Sequence, residues 1–247
     1  MLAQRYKLIC WWGNRSETAE VCAARFAKMI DGLAAIDGVF GRWCKFDETG
    51  QTLFCEMPAN RTELTQFFDR NRVHRDSPRE AWPERGFSFG SWNGLSQPHQ
   101  AGMFLNCGVY VDGGRVPNVV KIELSKHSAT KNVMWTASEL KPALSVMIEA
   151  WDAQEAAVLS NRYTAISPMR PPEKPNWPEV PWRPLVGWIT FVPKARTAQI
   201  GSLAGVDVDQ TAGGNIYSLC EEPFSTDNPD HLARAAAMEE ALRPIRY

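Results

Sequence analysis

Histidine and cysteine are the residues of this sequence best suited to chemistry, and they occur as isolated side chains. The four histidines are His74, His99, His127 and His231, and no two are four residues apart. The six cysteines are Cys10, Cys22, Cys44, Cys55, Cys107 and Cys220, and no two have the Cys-x-x-Cys spacing of a metal or redox site. The sequence has no Walker loop and no Gly-x-Gly-x-x-Gly turn to hold a phosphate. We therefore predict no catalytic residues, no metal site and no cofactor.

Acidic residues near the C-terminus are the remaining polar candidates. Asp207 and Asp209 are separated by one residue, so an extended segment would place both carboxylates on one side, in a solvated turn or around a cation. Between residues 201 and 242, eight acidic residues occur with one basic residue, Arg234, which gives a local charge of −7 by simple count. This region either keeps the protein soluble or attracts a basic partner and speeds association.

The composition is that of an ordinary globular protein. Of the 247 residues, 44% are hydrophobic and 22% are charged, and the formal net charge is −1. A dedicated nucleic-acid-binding protein would carry a basic excess. No run approaches the roughly 18–20 apolar residues that span a bilayer, and the N-terminal segment lacks the apolar core of a signal peptide. We therefore expect reduced, structural cysteines and a cytoplasmic protein.

The elements that would position these side chains begin with an apolar strand from Tyr6 to Trp12. A tight turn at Gly13 follows, and then a helix from about Ser16 to Ile36, whose apolar residues recur at spacings of three and four. Trp11 and Trp12 point to opposite faces of this strand, so at least one of them should be in the core, and we expect the side chain of Trp12 to be largely buried. We also expect the turn to require glycine at position 13.

Polar residues at the start of this helix have more than one interpretation. Asn14 or Ser16 can cap the helix, and Asn14 followed by Glu17 has the spacing of a capping box. Arg15 and Glu17 either pair with each other and with the helix end, whose dipole favours a carboxylate, or contact a partner protein.

The same segment resembles a known protein family. A Trp-Gly-x-Arg-x-Glu turn, a Cys-Ala-x-Arg helix, an Ala-Ile-Asp near the helix end and a Trp beyond it resemble the immunity protein 52 family, as does a Gly-Trp in a late strand. The matching residues are Trp12, Gly13, Arg15, Glu17, Cys22, Ala23, Arg25, Ala35, Ile36, Asp37, Trp43, Gly187 and Trp188. The order of these motifs and the overall length fit most of the chain.

The resemblance implies an immunity protein of a bacterial polymorphic toxin or type VI secretion system. Such a protein would inhibit a cognate toxin, usually a restriction-endonuclease-like nuclease, by covering its active site in the bacterial cytoplasm, and would do no chemistry itself. Its expected partner is the toxin domain, with no direct contact to nucleic acid or to a membrane. A rival interpretation is a small-molecule enzyme with a cleft between two halves of the chain.

The order of the elements predicts an α+β fold with antiparallel sheet and helices packed on one side. Consecutive strands are joined by short turns, and helices do not alternate regularly with strands. After the first helix, the predicted strands are Arg42–Phe46 and Thr52–Glu56, which form a hairpin, then Phe87–Trp92, Met103–Val111 and Val119–Leu124, and finally Leu185–Val192 and Ile216–Glu221. The predicted helices are Arg61–Asn71, one within Thr136–Trp151, and a final one from Asn228-Pro229. A charged loop is predicted over Arg72–Pro83 and a turn at Asp112-Gly113-Gly114.

A proline-rich segment from Pro168 to Pro184 contains seven of the 17 prolines. It favours an extended conformation, either as a strap whose Trp177 and Trp182 pack on the body or as an arm that recognises a partner. We expect one immunity-protein domain over residues 1–247. Two subdivisions of it are open: sub-halves of residues 1–130 and 131–247, or two related halves joined by this strap. Tryptophan and arginine anchor many interfaces, and exposed charges steer association. The candidate partner contacts are Asp207, Asp209, Glu221, Glu222, Trp177, Trp182, Arg15 and Glu17.

Overall fold

The computed structural model describes residues 5–45, 55–58, 60–78, 80–96, 98–111, 118–124, 135–167 and 186–244. The strands in these ranges are β1 Tyr6–Trp12, β2 Cys44–Lys45, β3 Cys55–Glu56, β4 Phe87–Trp92, β5 Ala101–Cys107, β6 Asn118–Leu124, β7 Glu155–Ser160, β8 Ile189–Pro193, β9 Asp207–Gln210 and β10 Gly214–Ser218. The α-helices are α1 Ala19–Ala34, α2 Arg61–Arg70, α3 Ala137–Trp151, α4 Asn161–Ile166, α5 Lys194–Thr197 and α6 Pro229–Leu242. Within the described ranges, no helix is both long enough and apolar enough to cross a membrane.

The ten strands form one sheet, in the order β3-β2-β4-β5-β6-β1-β7-β8-β10-β9. Every pairing in it is antiparallel. β1 lies inside the sheet, where Cys10 is opposite Val120 of β6 on one side and opposite Ala156 of β7 on the other. The predicted α+β fold with antiparallel sheet is confirmed. Strands from both predicted sub-halves belong to this one sheet.

The helices pack with the sheet into one large core. Apolar residues of α1, α2, α3 and α6 share this core with Leu8, Cys10 and Trp12 of β1. The alternate residues Ile9 and Trp11 point to the other face, where a smaller cluster includes Val119, Ala157 and Leu159. The expected burial of Trp12 is confirmed, since only 4% of it is exposed.

Three predicted helices are confirmed, and the structure shows how each of them is capped. The side chain of Asn60 caps α2 and that of Asn228 caps α6. Before α3, Thr136 and Glu139 form both hydrogen bonds of a capping box. α3 starts at this cap and continues through Pro142, so the proline does not delay the start of the helix.

The predicted start of α1 is wrong by three residues. The helix begins at Ala19, and its N-cap is Thr18, whose hydroxyl accepts a hydrogen bond from the first helical turn. Neither Asn14 nor Ser16 is the cap. The Asn14 amide instead donates to the carbonyl of Val111 at 2.9 Å, so a contact distant in sequence holds this residue outside the helix.

Two further expectations about this turn are also wrong. Glu17 does not complete a capping box, because its carboxylate accepts a hydrogen bond from Arg25. Gly13 does not have a positive φ. A Cβ at this position would meet only the flexible side chain of Gln154, at 3.3 Å, so the turn does not require glycine.

β7 is a central strand that the sequence analysis did not predict. All six of its residues are buried, so the sequence lacks the alternation of apolar and polar residues that marks a half-exposed strand. The Asp112-Gly113-Gly114 turn lies outside the described residues, although β5 and β6 pair antiparallel as expected. The strap from Pro168 to Pro184 also lies outside them.

The cysteines behave as expected where the structure describes them. Cys10, Cys22, Cys44, Cys107 and Cys220 are buried and form no disulfides. They occupy core positions in which a free cysteine packs as a small hydrophobic side chain.

Candidate functional site

Four charged side chains around the opening motif form an internal network. The Arg25 guanidinium donates to the Glu17 carboxylate at 2.9 Å and to Asp152 at 2.8 Å. Arg15 lies 3.4 Å from Asp152 and 3.8 Å from Glu17. Both arginines also donate to carbonyl oxygens of the last two residues of α3. Arg15 and Glu17 thus have the internal partners that the structural interpretation expects.

Two stacked tryptophans lie beside this network. The rings of Trp12 and Trp151 are 4.8 Å apart with an interplanar angle of 14°. The Arg15 guanidinium carbon lies 5.5 Å from the Trp12 ring centroid, and the Trp151 N–H points at the sulfur of Met29 at 3.2 Å. The motif residues therefore join β1, α1 and the end of α3, and they contribute to stability through burial and ion pairing.

The acidic candidates lie near the start of α3 and on the sheet edge. Asp207 and Asp209 are on β9, whose residues are all exposed. The Asp209 carboxylate is 2.7 Å from the ammonium of Lys141 on α3. Glu221 accepts hydrogen bonds at the α3 N-terminus, from Ala137 N–H to its carbonyl at 2.8 Å and from Ser138 N–H to its carboxylate at 3.2 Å. Asp209 and Glu221 thus both contact α3 while remaining at the surface.

Glu222, the fourth acidic candidate, pairs with the buried His231. Nε2 of His231 lies 2.7 Å from Glu222 Oε1, while Nδ1 accepts a hydrogen bond from the Ser225 N–H at 3.0 Å. An imidazole that accepts at Nδ1 carries its proton at Nε2, so Nε2 donates to Glu222. This hydrogen bond lowers the pKa of Glu222.

Cys220 lies close enough to Glu222 and His231 for the three to be considered as metal ligands, since their donor atoms lie within 4.8 Å of one another. A histidine ligand, however, binds metal through an unprotonated nitrogen and donates from the other one. Here the nitrogen facing the cluster carries the proton. Burial, with the charge of Glu222 as a second cause, raises the pKa of the Cys220 thiol to about 12. The arrangement is therefore suited to hydrogen bonding rather than to holding a cation.

Glu155 is a buried carboxyl group that the sequence analysis did not single out. It lies opposite Trp11 in the β1–β7 pair and is 7% exposed. Its Oε2 has no hydrogen-bond partner among the described residues. Burial raises the pKa of Glu155 to about 8, and the charge of Arg196 offsets part of this shift.

The surface loop predicted over Arg72–Pro83 is held as an arm by two isolated antiparallel bridges, Arg72 with Phe87 and His74 with Ala81. Val73 and Trp82 anchor it, because the Trp82 N–H donates to the Val73 carbonyl at 2.8 Å. The Arg75 and Arg85 guanidinium carbons lie 5.2 and 4.7 Å from the Trp82 ring centroid. Tryptophan and arginine are common interface anchors, so the arm is a surface that the sequence analysis missed. The sequence signal for this surface was the presence of Trp82 among arginines in a predicted loop.

One serine has the sequence spacing of a hydrolase nucleophile. Ser88 is the centre of a Gly-x-Ser-x-Gly pattern from Gly86 to Gly90. In an α/β-hydrolase this pattern forms a sharp turn between a strand and a helix. Ser88 instead lies within β4, opposite Asn106 of β5. The pattern is therefore part of a sheet and not a nucleophile elbow.

A cavity of about 300 Å³ opens between α1, α2 and the β2–β3 edge. Its polar lining is Asp31, Arg42 and Glu56, and the last two form an ion pair at its rim. Its other lining residues are apolar or glycine, so the lining offers no pair of nucleophile and base. The cavity lies within the N-terminal half, whereas the rival enzyme interpretation expects a cleft between the halves.

The remaining tryptophan candidates and the remaining histidines fall into two groups. Trp177, Trp182 and His127 lie outside the described residues. His74 and His99 are exposed at the surface, on the arm and after β4 respectively.

The chain is similar to a known protein family and, in its fold, to a solved structure. The model of the family described as immunity protein 52 matches residues 4–245. No curated protein matches the chain. Among solved structures, "Pseudomonas aeruginosa T6SS protein PA0821" is similar, with a TM-score of 0.51 and 13% identity over 99% of this chain and 76% of that one. At this identity the similarity concerns the fold alone.

Proposed function

This chain belongs to the immunity protein 52 family, and we propose that it binds a cognate bacterial toxin effector, a restriction-endonuclease-like nuclease, and inhibits it by covering the active site or the substrate groove. The observation that carries the proposal is the extent of the family match, which spans residues 4–245 and therefore the whole described sheet. We further propose that residues 1–247 form one domain that acts in the bacterial cytoplasm.

The state of the reactive side chains supports binding rather than chemistry. The five described cysteines are buried, and His231 is held between Ser225 and Glu222. Ser88 is paired within the sheet. A hydrolase needs a nucleophile, a base and an oxyanion site that converge on one point, and the described residues named here have other roles.

The acidic C-terminal region supports a nuclease as the target. A nuclease must hold the phosphates of its substrate with basic side chains. Asp207, Asp209, Glu221 and Glu222 carry negative charge at or near one end of the sheet, partly balanced by Lys141. Such a surface is complementary in sign to a DNA-binding groove and would speed association with it.

A titration tests this function directly. A candidate cognate toxin domain is purified, and its cleavage of plasmid DNA is followed as this protein is added. Stoichiometric occlusion predicts that cleavage falls linearly and stops at about one equivalent, with a one-to-one complex by light scattering. Protection at about one-hundredth of an equivalent would indicate turnover instead. Absence of both complex and protection would refute the proposal.

A histidine variant is the matched control. The combined change His74→Gln, His99→Gln and His127→Gln removes three of the four imidazoles and leaves the buried His231 in place. We expect the same titration end point as for the wild-type protein. Loss of inhibition in a folded variant that still binds the toxin would contradict pure occlusion.

A further inference from the structure

Among the described residues, β9 is an edge strand of the ten-stranded sheet. It is the last strand in the sheet order, and all four of its residues are exposed, with Val208 exposed to 45%. Its neighbour on the inner side is β10. At an edge strand, the backbone N–H and C=O groups of every second residue point outward and are unpaired. Such a row of groups can act as a template for another strand.

The register shows which residues face outward. Thr211 N–H donates to the Gly214 carbonyl at 2.8 Å, so these two residues form a hydrogen-bonded pair at the turn. In an antiparallel ladder, bonded and non-bonded pairs alternate. Asp209 opposite Ile216 is therefore a bonded pair.

The two intervening residues of β9 have the opposite orientation. Val208 opposite Tyr217 and Gln210 opposite Asn215 are non-bonded pairs. Their N–H and C=O groups point away from β10, toward solvent. Among the described residues, no backbone hydrogen bond involves these outward groups. Two donors and two acceptors are thus available along the edge.

The side chains of β9 determine what kind of strand fits there. Asp207 and Asp209 share one face of the strand and Val208 is on the other. Asp209 is paired with Lys141, so the strand carries two negative charges with one nearby cation. A basic extended segment would be attracted to it, and an acidic one would be repelled.

The opposite edge of the sheet is a poorer template. Within the described residues, β3 consists of Cys55 and Glu56, and the Glu56 carboxylate is paired with Arg42. Within the same residues, β9 offers four consecutive strand positions. The comparison of the two edges favours β9.

We propose that β9 docks an extended, basic segment of the toxin, which adds to the sheet as an eleventh strand. The proposal rests on the proposed immunity function and specifies the surface and the mode of binding. Main-chain hydrogen bonds from Val208 and Gln210 would give affinity, and the acidic face of β9 would select the charge of the incoming strand.

Proline substitution at an outward position tests the proposal. Val208→Pro removes an N–H that faces the open edge and leaves the bonded pairs with β10 unchanged, and proline is tolerated on edge strands at such positions. We expect the dissociation constant for the toxin domain to rise about fivefold to tenfold, as loss of a hydrogen bond predicts. Val208→Thr keeps both the N–H and the β-branched shape, and this control should bind like the wild type.

Amide hydrogen exchange on the unmodified protein provides a second readout that does not depend on the folding of a variant. The Val208 and Gln210 amides should exchange fast in the free protein and at least tenfold more slowly in the complex, whereas the Asp209 amide, bonded to β10, should be protected in both. Toxin that is bound and inhibited without this protection, and with unchanged affinity in Val208→Pro, would overturn the edge proposal and leave the proposed function intact. The acidic edge would then serve to prevent edge-to-edge aggregation. Failure of the wild-type protein to bind would refute both proposals.

Discussion

The opening motif and the β9 edge both carry charged side chains, but they use them differently. Around the motif, Arg15, Glu17 and Arg25 are bonded to one another, to Asp152 and to the end of α3. On β9, backbone groups of Val208 and Gln210 face outward. The difference teaches that the motif residues Arg15, Glu17 and Arg25 are bonded within the fold, while the surface that we propose for the partner has no distinctive sequence motif.

The largest expected effect tests the structural side of this comparison. Trp12→Ala removes a ring stacked on Trp151 that is 4% exposed. We expect a loss of about 3–5 kcal/mol in the free energy of unfolding, from lost burial and the resulting cavity. Urea unfolding checks this value. The folded fraction should still bind the toxin domain with unchanged affinity. A small loss of stability together with loss of binding would make Trp12 an interface residue.

A pH titration examines the buried carboxyl next to the motif. The folded-state pKa of Glu155 is raised to about 8, so between about pH 4.5 and 8 the folded protein keeps a proton that the unfolded chain has lost. This contribution to stability is complete below the unfolded-state pKa and declines as pH rises toward 8, by at most about 1.4 kcal/mol per pH unit.

Glu155→Gln should remove this dependence of the free energy of unfolding on pH. Relative to the wild type, the variant should gain stability between pH 5 and pH 8, by an amount of the order of 3 kcal/mol. If the unfolding free energies of the variant and of the wild type changed with pH in the same way, this would contradict the raised pKa of Glu155. The carboxylates of β9 are exposed at the surface, so Asp207→Asn is the contrasting control and should leave the slope unchanged.

The smallest effect concerns steering by the edge charge. Glu221, Glu222 and Asp209 have partners within the protein, so their neutralisation would also disturb the fold. Asp207→Asn is the cleaner change. We expect the association rate with the toxin domain to fall by less than about threefold, with a shallower salt dependence and an unchanged dissociation rate, because exposed charges act over a Debye length of about 8 Å.

Stopped-flow mixing at several ionic strengths measures this effect. Asp76→Asn on the arm makes the same charge change at an exposed site away from β9 and should leave the salt dependence as it is. Equal salt slopes for Asp207→Asn and the wild type would show that the edge charge does not steer the toxin.

The sequence was sufficient to predict the elements whose structure is determined by residues within about one helical turn. Helices α2, α3 and α6 follow from apolar spacing and from caps such as Thr136 with Glu139, which act within one turn. The N-cap of α1 was wrong because Asn14 and Glu17, both plausible by spacing, are held by Val111 and Arg25.

Contacts between residues distant in the sequence account for the features that could not be predicted. Asp152 joins the charged network through Arg25, which is 127 residues away in the sequence, and no local pattern indicates that pair. β7 has no alternation because both of its faces are covered. The outward backbone groups of Val208 and Gln210 depend on the register with β10 and on the position of β9 at the edge. These are properties of the assembled sheet rather than of the segment.

The position of β1 has a consequence for how long synthesis must proceed before the sheet can be completed. β1 pairs with Asn118–Leu124 on one side and with Glu155–Ser160 on the other, so one edge of this apolar strand stays unpaired until the ribosome has made its second neighbour. At typical rates of 5–20 residues per second that interval is roughly 7–30 s. Sheets built from such long-range pairings also fold slowly. A cell that relies on this fold for protection therefore depends on molecules that were already complete when the toxin arrived.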